Sequence, residues 1–331
     1  MTFRRKHLFP LLAIAAFLGS ASSWAQEPEA QIRVDVELVN LFVTVRDGRG
    51  QPVNDLTKND FRIREDGRAQ RIEYFARDTS LPLTLGLLLD TSGSQRNLLY
   101  AEQAAATQFL ERTLREGDEA MVVTFDVNVA LPDGFTSDRA ALERAIHRAR
   151  INMPDTSRGD GERSPGGTTL YDAIYRACRE RLAQRAGRKA LVIITDAEDT
   201  GSRATLEEAL DAAQRTDTIL HIILITQRSG FGFGKQNERV ARKLAEQTGG
   251  RVIEAAYAPE IDAAFQQIAE ELRSQYILGY TSTNRARDGK WRKLRVETER
   301  RGLRVLTRPG YFAAVRQERT HANRSVSVAG R

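Results

Sequence analysis

The feature that most constrains the fold is an alternation, between Leu83 and about Leu272, of short apolar runs with amphipathic segments. The runs read LTLGLLL, EAMVVTF, ALVIIT and TILHIILI, and the segments between them have a helical period. Strands that are apolar on both faces and are joined by helical crossovers form a mostly parallel sheet covered by helices on both sides. The sequence therefore predicts a doubly wound α/β domain with a Rossmann-like sheet, which we place at residues 81–274.

The segments on either side of this domain have the two-residue period of β-strands. Residues 26–80 contain LFVTV and DFRIREDGRAQRIEYF, and residues 275–315 contain SQYILGYT, WRKLRVETE and LRVLTR. Each flank has only about 50 residues, a size at which an isolated sheet is marginal. We therefore expect the two flanks to pair as one β-sandwich-like domain that carries the α/β domain as an insertion, and we expect a disordered tail at 316–331.

The first 25 residues have the pattern of an export signal peptide. A basic FRRKH precedes an apolar run at residues 8–18, and SWA ends at Ala25 with a small-x-small cleavage pattern. The run is shorter than the ~20 residues that span a bilayer. We expect cleavage after Ala25, no transmembrane anchor afterwards, and a periplasmic or secreted protein; an uncleaved anchor is the alternative.

Charge and cysteine content exclude several other classes. From Glu270 onward there are 15 Lys and Arg residues against 6 Asp and Glu, but these charges alternate with apolar residues as on the solvated face of strands. We expect no nucleic-acid partner, with contact to nucleic acid or an anionic cell-surface polymer as the alternative.

Cys178 is the only cysteine, and we predict it to be a small buried hydrophobic residue. The three histidines outside the signal segment are far apart in sequence, which disfavours a zinc site.

Oxygen-bearing side chains stand where two of the apolar runs end. In LLLDTSGSQ the run ends at Asp90, and the alternate residues Ser92 and Ser94 follow it; ALVIITD ends at Asp196 in the same way. Between them, SPGGTTLYDAI places Thr168 after two glycines and before a helix. In open parallel sheets, ligand groups gather beyond the carboxyl ends of strands near a topological switch point. Carboxylates and hydroxyls suit magnesium, manganese or calcium and do not suit zinc or copper.

These motifs resemble the metal-ion-dependent adhesion site of the von Willebrand factor type A family. The D-x-S-x-S motif, the G-G-T threonine and the ITDAE aspartate occur in the family's order, although Ala197 stands where many members have glycine. The flanking segments resemble those of a group of exported bacterial proteins. The resemblance implies a divalent cation, Mg²⁺ foremost and Mn²⁺ or Ca²⁺ otherwise, held by Asp90, Ser92, Ser94, Thr168 and Asp196. It also implies that a partner protein supplies an Asp or Glu carboxylate to the open position of the cation.

This interpretation makes the protein a binding or adhesion module and not an enzyme. A metal-dependent hydrolase using the same site, and a scaffold in which the site is only structural, are the alternatives. The DTGS at residues 199–202 matches an aspartic protease loop, but that chemistry needs two equivalent loops. Arg158-Gly159-Asp160 is interpreted as a chance integrin-type tripeptide. Phe231 and Phe233, in SGFGFGKQ, are expected on the same rim as the metal, where they would contact the partner.

Overall fold

The computed structural model describes residues 38–77, 81–152, 167–226 and 234–315. Its strands are β1 (Leu38–Arg46), β2 (Phe61–Glu65), β3 (Arg68–Gln70), β4 (Ile72–Ala76), β5 (Leu83–Asp90), β6 (Glu119–Phe125), β7 (Val129–Ala130), β8 (Arg188–Thr195), β9 (Thr218–Ile225), β10 (Val252–Ala255), β11 (Tyr276–Thr281), β12 (Trp291–Thr298), β13 (Arg304–Leu306) and β14 (Gly310–Phe312). Its α-helices are α1 (Leu99–Thr113), α2 (Arg139–Arg148), α3 (Leu170–Arg176), α4 (Leu206–Arg215), α5 (Gly234–Glu246) and α6 (Ala258–Arg273).

The central sheet has the strand order β10-β9-β8-β5-β6-β7. All neighbouring strands run parallel except β7, which pairs antiparallel with β6 at the edge. Strands β6 and β7 lie on one side of β5, and the later strands β8, β9 and β10 lie in that order on its other side. The switch point therefore lies between β5 and β8. This arrangement confirms the predicted α/β fold class.

Apolar clusters cover both faces of this sheet because successive side chains of a strand point to opposite sides. Leu87 of β5 belongs to the cluster that packs against α1 and α6, where the rings of Phe109 and Phe265 lie 4.9 Å apart. Leu88 belongs to the opposite cluster, which includes Ile174 of α3. Burial on both faces explains why Thr84 is the only polar residue of β5 before Asp90.

The two β-rich flanks pair with each other, as the sequence predicts. One four-stranded sheet has the order β13-β1-β11-β4 and the other has the order β14-β12-β2-β3, so each sheet combines strands from before and after the α/β domain. Leu41, Phe61 and Tyr276 lie in the apolar core that the two sheets share. The predicted hairpin also forms, and Asp66 and Gly67 turn between β2 and β3 with φ of 47° and 82°.

A buried carboxylate joins the two sheets of the sandwich. Glu65 of β2 accepts hydrogen bonds from the hydroxyls of Tyr280 at 2.6 Å, Tyr311 at 2.9 Å and Ser282 at 2.6 Å. Burial, followed by the hydrogen bond to Glu65, raises the pKa of Tyr311 to about 12. The tyrosine hydroxyls thus keep the protons that they donate. The three donated hydrogen bonds replace the hydration that the carboxylate loses on burial.

Some expectations differ from the structure or fall outside it. The helix predicted after Thr168 is α-helical only through α3, and it continues as a π turn at Ala177–Arg181 and a 3₁₀ turn at Leu182–Gln184. Strands β7 and β14 are too short for a two-residue period to reveal them. The following segments lie outside the described residues: the signal segment 1–25, residues 26–37, the tripeptide 158–160, Phe231, Phe233 and the tail 316–331. Among the helices described, none combines the length and the apolar character needed to cross a bilayer.

A buried ionic cluster connects the sandwich to the α/β domain. Glu271 of α6 forms ion pairs with Arg46, at the end of β1, and with Arg251 at 3.1 Å. His221 of β9 lies 3.4 Å from the same carboxylate, and burial lowers the pKa of this imidazole. Both Arg46 and Glu271 are buried. The carboxylate therefore compensates for a guanidinium that would otherwise be isolated from water.

We expect Glu271→Gln to lower the free energy of unfolding by about 3–5 kcal/mol, because it leaves the buried Arg46 without a counter-charge. Urea denaturation followed by circular dichroism measures this loss. The control is Glu270→Gln on the exposed side of the same helix, which should change stability by less than about 0.5 kcal/mol. Equal stability of the two variants would contradict the interpretation.

Candidate functional site

The side chain of Asp90 is fixed at the end of β5 by two hydrogen bonds. One carboxylate oxygen accepts from the backbone N–H of Ser92 at 2.9 Å, and the other accepts from the hydroxyl of Thr195, at the end of β8, at 2.6 Å. Asp90 is fully buried. Burial raises its pKa to about 6 although both hydrogen-bond partners lower it, and the negative charge of Asp196 raises it as well. A nearby cation would therefore stabilise this carboxylate.

The two serines of the motif lie side by side. The Oγ atoms of Ser92 and Ser94 are 3.0 Å apart, and Gln95 donates from its amide nitrogen to Ser94 Oγ at 3.2 Å. A 3₁₀ turn at residues 93–97, between β5 and α1, brings the two serine hydroxyls together. The two hydroxyls and the Asp90 carboxylate thus belong to one short loop at the carboxyl edge of the sheet.

Thr168 is brought to the same edge by the loop that follows β8. Its backbone N–H donates to Thr200 Oγ1 at 3.1 Å, and its carbonyl accepts from the N–H groups of Thr200 at 3.0 Å and Gly201 at 3.1 Å. These bonds use only the backbone of Thr168. Within the described part of the chain its own hydroxyl has no hydrogen-bond partner, which leaves this oxygen available for a ligand.

Asp196 follows β8 directly and is half-buried. Its carboxylate accepts one hydrogen bond, from the N–H of Glu198 at 3.1 Å. Ala197 is buried and has a φ of 59°, in the left-handed region that favours glycine. Ala197 therefore adopts a backbone conformation that glycine reaches more easily, and its N–H donates to Thr195 Oγ1 at 3.0 Å.

Three polar residues of this edge were not predicted from the sequence. Thr195 and Thr200 form the hydrogen bonds described above, and they offered no signal beyond lying near predicted residues. Glu102 is the third. The sequence did contain a signal for it, because it is a charged residue on the apolar stripe of a predicted helix. Burial first, and then the charges of Asp90 and Asp196, raise the pKa of Glu102 to about 8.

The DTGS segment has a structural role in the described residues. Asp199 accepts hydrogen bonds from the N–H of Tyr171 at 2.9 Å and from the hydroxyl of Ser202 at 2.6 Å. These contacts tie the start of α3 to the loop after β8. Asp172 reinforces the connection by accepting from the N–H of Ala204 at 2.8 Å.

An open cavity of about 670 Å³ adjoins the site on the side of α3. Thr169, the neighbour of Thr168, lines it together with Gly201. Most charged groups in its wall already have partners, since Arg176 pairs with Glu180 and Glu208 caps α4. The cavity gives a ligand at the carboxyl edge room to extend across the surface.

The donor set consists of oxygen ligands that suit a divalent cation. In the described ranges, no group of three or more His, Cys, Asp and Glu side chains could hold a metal. The predicted set instead combines two carboxylates with three hydroxyls, one of them unpartnered and two adjacent. Oxygen donors of this kind are the ligands that Mg²⁺, Mn²⁺ and Ca²⁺ take in proteins.

Comparison with known proteins gives one family match. A family model described as von Willebrand factor type A domain matches residues 85–198. A search of curated protein sequences gives no match.

Several solved structures are similar to the chain. One is von Willebrand factor type A from Catenulispora acidiphila, with 13% identity, a TM-score of 0.49, and coverage of 87% of this chain and 76% of that chain. Another is proximal thread matrix protein 1 from the mussel byssus, with 16% identity, a TM-score of 0.48, and coverage of 63% and 51%. The chain thus spans about half the length of the mussel protein. A third is the vWF domain of the type V pili tip protein Mfa5 from Porphyromonas gingivalis, with 13% identity, a TM-score of 0.45, and coverage of 57% and 94%.

The match begins in β5 and ends just after β8, the two strands whose carboxyl ends carry Asp90 and Asp196. Residues 85–198, within the α/β domain, therefore match the von Willebrand factor type A domain.

Proposed function

We propose that this protein is an exported binding module that holds a divalent cation at the carboxyl edge of its parallel sheet. The observation that carries the proposal is the convergence there of the buried Asp90 carboxylate with the paired hydroxyls of Ser92 and Ser94. Thr168 and Asp196 complete the proposed ligand set. Mg²⁺ is the preferred ion, with Mn²⁺ and Ca²⁺ as alternatives that suit the same oxygen donors.

The charge of the ligand set favours an anionic partner. Asp90 and Asp196 together balance a divalent ion, and the three hydroxyls add no charge. A bound cation of this kind supplies an electrophilic position to an oxygen from outside the protein. We therefore propose that the partner is a protein that offers an Asp or Glu carboxylate, and that the cavity beside Thr169 accommodates the residues next to that carboxylate.

Metal binding should raise the melting temperature of the protein. An ion that binds only the folded state at ~100 times its dissociation constant adds about 2.7 kcal/mol to the free energy of unfolding. Asp196→Ala should abolish the shift, because it removes one of the two ligand charges. Glu198→Ala, which removes an exposed carboxylate two residues away, should retain it. Differential scanning calorimetry in Mg²⁺, Mn²⁺, Ca²⁺ and chelator makes the comparison, and an unchanged wild-type melting temperature in all four would refute the metal site.

Partner binding should require both the metal and a carboxylate. We expect immobilised peptides with Asp or Glu to bind in Mg²⁺, and their Asn or Gln counterparts not to bind. Thr168→Ala should weaken binding roughly ten- to a hundredfold, since losing a contact to a charged group costs about 1.5–3 kcal/mol. Thr107→Ala, at a half-buried position of α1, serves as the control. Binding that is equal for acid and amide peptides, or unaffected by chelator, would locate the interface elsewhere.

Export rests on the sequence of residues 1–25. N-terminal sequencing of the protein recovered from its native cells should give Gln26 as the first residue. A mature protein that still begins at Met1 would contradict signal cleavage.

A further inference from the structure

A buried carboxyl group that has no hydrogen-bond partner in the described part of the chain lies beside the proposed metal site. Glu102 of α1 is fully buried, and neither of its carboxyl oxygens has a hydrogen-bond partner among the described residues. The next residue, Gln103, is also buried, but its amide donates to the carbonyls of Ile146 at 2.8 Å and Ala149 at 3.1 Å. A buried polar side chain next to Glu102 is therefore satisfied, and the other unpartnered group of this helix among the described residues, the Thr113 hydroxyl, lies at the far end of α1.

The position of Glu102 directs it towards the carboxyl edge of the sheet. It lies between Leu99 and Ala106 on the stripe of α1 that packs against the sheet, because residues three and four apart share a helix face. It belongs to the first turn of the helix, eight residues after Ser94. The charges that act on its carboxyl group are those of Asp90 and Asp196, the two proposed acidic ligands.

A second buried oxygen in the same segment is also unpartnered. The amide nitrogen of Gln95 donates to Ser94 Oγ, while its carbonyl oxygen has no hydrogen-bond partner in the part of the chain that the structure describes. Gln95 is fully buried as well. Buried polar groups in native proteins nearly always have partners, so two such groups beside one proposed ligand set indicate a missing polar ligand.

We propose that Glu102 is a positioning residue of the metal site, whose carboxyl group holds a water molecule of the cation's hydration shell on the buried side. Mg²⁺ keeps several of its waters when it binds to proteins. A buried water needs two to four polar partners, and the free oxygens of Glu102 and Gln95 are of the kind that can serve. The inference rests on the proposed function, since it requires that the site binds a cation.

The experiment compares Glu102→Leu, which removes the polar group at similar volume, with Glu102→Gln, which retains polar atoms at the same position. Mg²⁺ alone is titrated into the full-length chain by calorimetry, and melting temperatures are measured in chelator. Glu111→Leu, on the exposed face of the same helix, is the control.

We expect Glu102→Leu to bind Mg²⁺ about 10- to 100-fold more weakly than the wild type, which is the usual loss for an outer partner of a metal site. Glu102→Gln should recover most of that affinity. In chelator, the Leu variant should melt no lower than the wild type, because it replaces an unsatisfied buried group with an apolar one.

Two results would overturn the inference while leaving the metal site intact. One is wild-type Mg²⁺ affinity in Glu102→Leu. The other is a lower melting temperature, or failure to fold, of that variant in chelator, because Glu102 would then have a structural role. Absence of Mg²⁺ binding by the wild type would overturn the inference and the proposed function together.

Discussion

The parallel pairing of β5 with β8 is the contact on which the rest of the α/β domain depends. It aligns Leu83 with Arg188 and, six residues further, Leu89 with Ile194. The other strands of the sheet lie outward from this pair in both directions. Both apolar clusters include residues of β5 and β8, one cluster on each face of the sheet. The same register places Asp90 beside Thr195, and this hydrogen bond joins the two strand ends across the switch point. A ligand site at this edge is therefore a consequence of how the sheet is assembled.

The sandwich and the proposed site lie at opposite edges of that sheet. The chain leaves β4 of the sandwich and enters β5 at its amino end, and it returns from the end of α6 directly into β11. Because a helix that follows a parallel strand runs back to the amino edge, both connections lie at that edge. The Glu271 cluster, which reaches Arg46 of the sandwich, is part of this connection. The carboxyl edge is thus held away from the sandwich, which suits a surface that binds a partner.

Three buried glutamates illustrate how the surroundings of a charge separate stability from binding. Glu65 receives three hydroxyl donors, and Glu271 faces two guanidinium groups. Each of these carboxylates is compensated inside the protein, and each joins elements that are distant in sequence. Glu102 is equally buried but has no hydrogen-bond partner within the described ranges. An uncompensated group costs folding free energy, and this cost is the basis of the role proposed for Glu102 beside the metal site.

The sequence by itself determined the fold class and the order of the oxygen-bearing motifs, because hydrophobic period and turn residues are local properties. The pairing of the two β flanks followed from their size, since each is too small to form a stable sheet alone. Asp90 and Asp196 could be assigned to strand ends since each terminates an apolar run. Only the tertiary structure decided that Thr195 bonds to Asp90, and that Ala197 requires a left-handed backbone. It also decided that Glu102 is buried with no hydrogen-bond partner among the described residues, while the amide of Gln103 beside it has two acceptors. The bonds of Thr195 and Gln103 join segments 105 and 43 residues apart, and the periodicity of a single segment carries no information about them.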